Sequence, residues 1–129
     1  MPIERTVEFL KWFLDNVPID PLWLCPLRLR DDGEWPLYPL RPRHTYVNVG
    51  FWSSVPVGPD WSSEEGHTNK LIERAVSELD GHKSLYSDAF YSADEFDELY
   101  GGETYKTVKK TYDPDSRLLD LYAKAVQRR

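Results

Sequence analysis

The residues best suited to chemistry lie in the run Leu85-Tyr86-Ser87-Asp88-Ala89-Phe90-Tyr91. Read as a strand, its period of two puts Tyr86, Asp88 and Phe90 on one face. A carboxylate there could hold a hydroxyl, orient the nearby tyrosine, or serve as acid or base if burial raised its pKa. The plainer readings are a strand-end acceptor for Asp88 and a core tyrosine with a satisfied hydroxyl for Tyr86. Trp23, Asn48 and Trp52 form a second set, because aromatic planes suit flat apolar rings and one amide can orient a polar end. Ordinary core or edge packing explains each of these three alone. Arg28 could pair with an anion, or be an exposed strand arginine beside Arg30.

Other chemistries find no support. His44, His67 and His82 are scattered, with no Gly-x-Ser-x-Gly elbow and no His-Glu-x-x-His helix, so neither a hydrolase nor a metalloprotease is indicated. The lone Cys25 excludes an internal disulfide, fits a reducing compartment and leaves no metal site to assemble. Gly101-Gly102 follows a helical pattern rather than a strand, and reads as a helix stop instead of a phosphate loop. The carboxylates Asp94 and Glu98 are four apart and read as a solvated helix face. Lys124, Gln127, Arg128 and Arg129 read as ordinary helix-end residues. Sixteen Lys and Arg against 22 Asp and Glu give a net charge of -6, which repels phosphate backbones and argues against nucleic acid as a partner.

These side chains need a scaffold, and 129 residues suit one compact unit. Apolar spacing at Val7, Leu10, Phe13 or Leu14, and Val17 predicts a first helix from Glu4 to Asn16 with one buried face, closed by Pro18. Leu22 to Arg30 reads as a strand whose leucines switch parity at Cys25-Pro26, as a bulge would cause. The three prolines of 31–44 make a long connection. Thr45 to Trp52 then alternates as a second strand, with Tyr46, Asn48, Gly50 and Trp52 on the face likelier to meet a ligand. Ser62 and Glu65 make a capping box for a helix carrying Leu71, Ile72, Ala75, Val76 and Leu79 and ending at Gly81. Ser84 to Tyr91 is expected as a third strand. Ser92 and Glu95 cap a short helix through Tyr100. Two helical runs follow, marked by Tyr105, Val108 and Tyr112 and then by Leu118, Leu119, Tyr122 and Val126, with a turn at Asp113-Pro114-Asp115 between them.

The expected class is α+β, an antiparallel sheet of about three strands backed by helices, with a helical C-terminal tail. Its order is a split βαβ pattern whose first strand is missing. An absent first strand would leave the neighbouring strand with an open edge, which invites self-association. No run approaches ~20 apolar residues, and the N-terminus lacks the pattern of a signal peptide, so a soluble cytoplasmic protein with no integral membrane segment is expected.

Three spaced segments carry a resemblance: Asp20-Pro-Leu-Trp-Leu-Cys-Pro-Leu, Tyr46-Val-Asn-Val-Gly, and Leu85-Tyr-Ser-Asp-Ala-Phe-Tyr followed by Glu95-Phe. In one register from Pro2 to about Val126, the chain resembles the C-terminal third of Δ24-sterol reductase-like proteins in the FAD-linked oxidase superfamily. The resemblance implies an FAD-dependent oxidoreductase whose flavin-holding domain lies before this region, with residues 1–91 as part of a substrate (cap) domain. Residues 92–129 would be a helical tail packing near the flavin domain. It implies Tyr86 and Asp88 as catalytic candidates, Tyr86, Asp88 and Tyr91 beside the cofactor, and Trp23, Asn48, Trp52 and Phe90 around a small organic substrate. NADPH is implied as reductant where the direction is reduction of a carbon-carbon double bond in a sterol-like substrate; alcohol oxidation is the other direction. Some relatives that oxidise a sugar alcohol carry lysine where Ala89 stands. The rival expectation is a stand-alone, non-catalytic module that binds a protein or small ligand through its aromatic face.

Overall fold

A proline with no N–H to waste opens the first helix, since Pro2 stands at its N-cap. The computed structural model describes residues 1–33, 35–55 and 64–129. Helix α1 spans Ile3–Asn16, strand β1 Trp23–Arg28 and strand β2 Thr45–Gly50; the helices α2 (His67–Glu78), α3 (Ala93–Leu99), α4 (Gly102–Tyr112) and α5 (Leu121–Ala125) follow. This is the α+β class expected, with a two-stranded antiparallel sheet among the described residues.

The buried face of α1 differs in part from the one expected. Thr6, Phe9 and Phe13 are buried, Val17 closes the same side, and Val7 and Leu14 point outward. Two apolar rows lie side by side on this helix, and the core takes the one holding the two phenylalanines, which remove the most apolar area from water. Thr6 is satisfied there, its hydroxyl donating to the Pro2 carbonyl at 2.9 Å.

The sheet pairs in one unbroken register, from Trp23 opposite Gly50 to Arg28 opposite Thr45, so the expected bulge at Cys25-Pro26 is absent. Pro26 needs none. Its partner Val47 directs both backbone groups away from β1, receiving the Met1 ammonium at 3.0 Å and donating to the Met1 carbonyl at 2.8 Å. Pro26 therefore sits in a non-hydrogen-bonded pair, where a missing N–H costs the ladder nothing. Met1 and Pro2, which bridges Tyr46, form a stub of strand along the outer edge of β2. That edge, expected to stand open, is occupied at Tyr46 and Val47. On the outer edge of β1, Pro26 removes the central donor and blunts strand addition there.

Helix α2 begins at His67 rather than near Ser63, with Gly66 at its N-cap and φ of 71°. Ser62, the expected cap, lies outside the described residues. The helix ends in a Schellman motif: Asp80 takes the left-handed conformation at φ 54° and donates to Ser77, while Gly81 donates to Val76 at 2.8 Å. Gly81 is favoured by proximity, because a Cβ there would come within 2.9 Å of the Val76 carbonyl oxygen. The expected capping box on α3 is present in both directions between Ser92 and Glu95. The last helix is shorter than expected. Asp113 accepts from the N–H groups of Arg117 and Leu118 and turns the chain away from helix, so Leu118 and Leu119 are left exposed before Asp120 caps α5.

Two apolar clusters result. One joins Phe9, Phe13, Val17, Ile19, Ile72, Ala75 and Val76, with Phe51 and Val49 packed against it from the sheet side. The other joins Ala89, Tyr91, Phe96 and Tyr100 with Tyr122 and Val126.

Candidate functional site

The segment that carries Tyr86 and Asp88 is not a strand. A turn occupies 85–87 and irregular backbone the rest, so period-two alternation does not apply and Tyr86, Asp88 and Phe90 do not share a strand face. Among the described residues no neighbouring strand satisfies this backbone; side chains and one main-chain carbonyl do. The Glu73 carboxylate accepts from the Phe90 N–H at 3.1 and 3.2 Å. The Asp88 carbonyl accepts from Lys83 Nζ and from Asn69 Nδ2 at 3.4 Å. Ala89 N–H donates to the Ala125 carbonyl at 3.3 Å. Held this way, Tyr86 projects at 87% exposure and the Asp88 carboxylate is open to solvent.

Lys83 and Glu73 form a buried ion pair at 2.6 Å beneath that turn. Sequence reading did not single them out. Asn69 and Glu73 are four apart on α2, and that i, i+4 polar pair inside an otherwise apolar stripe was the available signal. Arg128, expected as an ordinary terminal charge, reaches back instead. Its guanidinium pairs with Glu65 at 2.6 Å, lies 3.5 Å from Asp88 and covers the Phe90 ring at 4.9 Å.

Of the expected pocket walls, Trp23, Asn48 and Trp52 do come together on the outer face of the sheet. The two indoles stack with centroids 5.8 Å apart and planes at 23°. Gly50 lies directly under the Trp23 ring, its ideal Cβ position in van der Waals contact with it at 3.4 Å. Both indoles and Asn48 are exposed. Phe90 is not on that face: its ring rests on Gly66, where any Cβ would come within 2.3 Å of it. Arg28 is exposed at the end of β1. Tyr91 is buried in the second cluster, and burial is the main cause pushing its phenol up to about 12. Burial raises Tyr100 as well, and its hydroxyl donates to the Lys83 carbonyl at 2.8 Å.

A cavity of about 290 Å³ opens behind the turn, lined by Leu37, Tyr38, His82, Leu85, Tyr100 and Tyr105 among others. His82 lies between Tyr38 and Tyr100, at centroid distances of 5.0 and 4.7 Å, and its buried Nε2 has no hydrogen-bond partner among the described residues. Burial holds this imidazole below its ordinary pKa of 6.5, and the Met1 ammonium adds to the effect. A folded pKa below the unfolded one means that the unfolded chain binds the proton more tightly. The stability contribution is intact above the unfolded value and is lost as pH falls below it. Thermal melts from about pH 7 down to about pH 5 should therefore show a loss that His82→Phe reduces. The depressed carboxylates Glu64, Glu95 and Asp113 lose their contributions only at lower pH, below their ordinary values of 4.5 for glutamate and 3.8 for aspartate. Parallel profiles for the two proteins would exclude this role for His82.

Among the described residues, no group of three or more His, Cys, Asp or Glu is placed to hold a metal ion, and no helix is long and apolar enough to cross a membrane. No family model matches the chain, and no solved structure matches it. Curated proteins do. The likeness is to Delta(24)-sterol reductases. The rat protein (Rattus norvegicus) is 24% identical over 130 residues, covering 96% of this chain and 23% of its own length. The human protein (Homo sapiens) is 21% identical over 124 residues, and a Delta(24)-sterol reductase homolog from Caenorhabditis elegans is 23% identical over 128, each with the same two coverages. The relation is distant and supports kinship with sterol-reductase-type oxidoreductases at the level of a broad family. The chain spans less than a quarter of the length of these relatives.

Proposed function

We propose that this chain is the substrate-side portion of an FAD-dependent oxidoreductase of the sterol-reductase type, acting with an FAD-holding domain or chain. The observation that carries this reading is the similarity itself, which runs through 96% of the chain in one stretch. The surface agrees with it. Tyr86 stands exposed on an anchored turn with the Asp88 carboxylate exposed beside Arg128, and Trp23, Trp52 and Asn48 form an open aromatic wall. The turn is the surface we assign to the ring end of a flavin and the indole wall a separate surface for an apolar substrate ring, whereas the sequence offers no glycine-rich loop for the flavin phosphates. Residues 1–91 serve as the cap part and 92–129 as the helical part nearer the flavin domain.

When bound, the flavin supplies the hydride chemistry. The chain's own residues do the rest. The Asp88 carboxylate accepts a hydrogen bond from a substrate hydroxyl or takes its proton, and the Tyr86 phenol donates to a polar atom of substrate or ring. Trp23 and Trp52 lie flat against an apolar ring while Asn48 fixes its polar end. Tyr91 supports the turn from beneath. A sterol-like alkene or an apolar alcohol is the substrate class that suits such a wall.

The chain alone, mixed with FAD and passed through gel filtration, is expected to emerge colourless. Co-expressed with an FAD-holding domain from a sterol-reductase-like flavoprotein, it is expected to copurify as a yellow complex. In that complex Asp88→Asn should lower turnover about a hundredfold with flavin content unchanged. Stoichiometric flavin on the isolated chain, or no complex with the flavin domain, would contradict the proposal.

A further inference from the structure

Helix α1 carries a second apolar row that the described residues leave largely uncovered. Ile3, Val7 and Leu14 are 49%, 62% and 64% exposed, and Leu10 lies between them, half-buried. Their spacing of four, three and four residues is that of a coiled-coil seam. A contact between identical copies must be self-complementary about a two-fold axis, and a row spaced in this way reads the same in both directions. An antiparallel second helix sets Ile3 against Leu14 and Val7 against Leu10, closing four apolar layers.

The charges favour the same arrangement. Glu4 and Lys11 each follow a seam residue by one position, so both lie on one flank of the row, while Thr6 and Phe13 lie on the other. In the antiparallel alignment Glu4 of one copy stands two residues along the axis, about 3 Å, from Lys11 of the other, and symmetry repeats the pair. One Glu4 oxygen lies 3.2 Å from His44 Nε2, leaving the second oxygen for Lys11. A parallel alignment would set both charges against Thr6 and Phe13, where neither finds a counter-ion.

We propose that this row is a contact between two copies of the chain, an antiparallel pairing of α1 with itself flanked by two Glu4 to Lys11 ion pairs. This goes beyond the flavoprotein reading and does not rest on it. Two heptads bury less than the ~800 Å² per partner of a standard interface, so the dimer is weak, with a dissociation constant on the order of 10–100 µM.

Sedimentation velocity of the full chain, from low micromolar to millimolar concentration, is expected to show a monomer–dimer equilibrium. Val7→Glu should abolish it with the circular dichroism spectrum unchanged, because the side chain it replaces is exposed. Glu4→Lys or Lys11→Glu alone places like charges together and should weaken the dimer at least about tenfold. The double variant carrying both changes should restore it. A chain that stays monomeric throughout, a dimer indifferent to Val7→Glu, or a charge swap that fails to restore association would each overturn the proposal.

Discussion

Replacing Lys83 with methionine is expected to lower the unfolding free energy by about 3–5 kcal/mol, measured by urea denaturation. The side chains of Lys83 and Glu73 are 13% and 4% exposed and meet at 2.6 Å. Removing the ammonium leaves the carboxylate facing the Phe90 N–H as its remaining close donor, with no opposite charge in an interior that penalises bare ions. The Asp88 carbonyl loses a donor in the same stroke. Because that carbonyl and the Phe90 N–H are the anchors of the Tyr86 turn, amide exchange across 84–91 should rise even where the rest of the fold is protected. The double variant Glu73→Gln with Lys83→Met should regain most of the lost stability, since a neutral amide oxygen still accepts from Phe90 and no buried charge is stranded. A single variant that loses less than about 1 kcal/mol would show that the pair is solvated rather than buried.

That pair also marks the limit of what the sequence makes legible. Helices α1 to α4 follow from local rules: apolar period, the Ser92–Glu95 box, and the glycines at 101 and 102 with φ of 100° and 43°. The alternation of Thr45 to Gly50 identifies β2 equally well. The turn at 84–91 does not follow, because its alternating aromatic residues imitate a strand while its backbone is satisfied by side chains from α2 and by Lys83. Period-two spacing cannot distinguish the two, since only tertiary partners decide which donors a segment finds. The candidate site was legible in the same measure. Trp23 and Asn48 share a face because the strand register puts them there and Trp52 stacks on Trp23, whereas the alternation that joins Phe90 to Tyr86 is removed by the turn. Arg128 was hidden for a different reason: it acts 63 residues from Glu65, and sequence spacing carries no information at that range.

Phe13→Ala is expected to cost about 3–5 kcal/mol, and Leu14→Ala almost nothing. The two positions are neighbours in sequence, and the apolar period of α1 admits either as the core residue. Phe13 is 0% exposed, packs against Phe9 and sets its ring 4.9 Å from that of Phe51 at a tilt of 46°, so its removal opens a cavity between helix and sheet that rigid neighbours only partly fill. Leu14 is largely solvated within one copy of the chain, so its truncation should fall within about 0.5 kcal/mol when denaturation is followed at concentrations too low for α1 to pair with itself. At high concentration the order of small effects changes, because Leu14 then faces Ile3 of the second copy and its loss should reduce association. Comparable losses for the two variants in dilute solution would mean that α1 is rotated about its axis. Both the core assignment and the self-pairing row would then fail together.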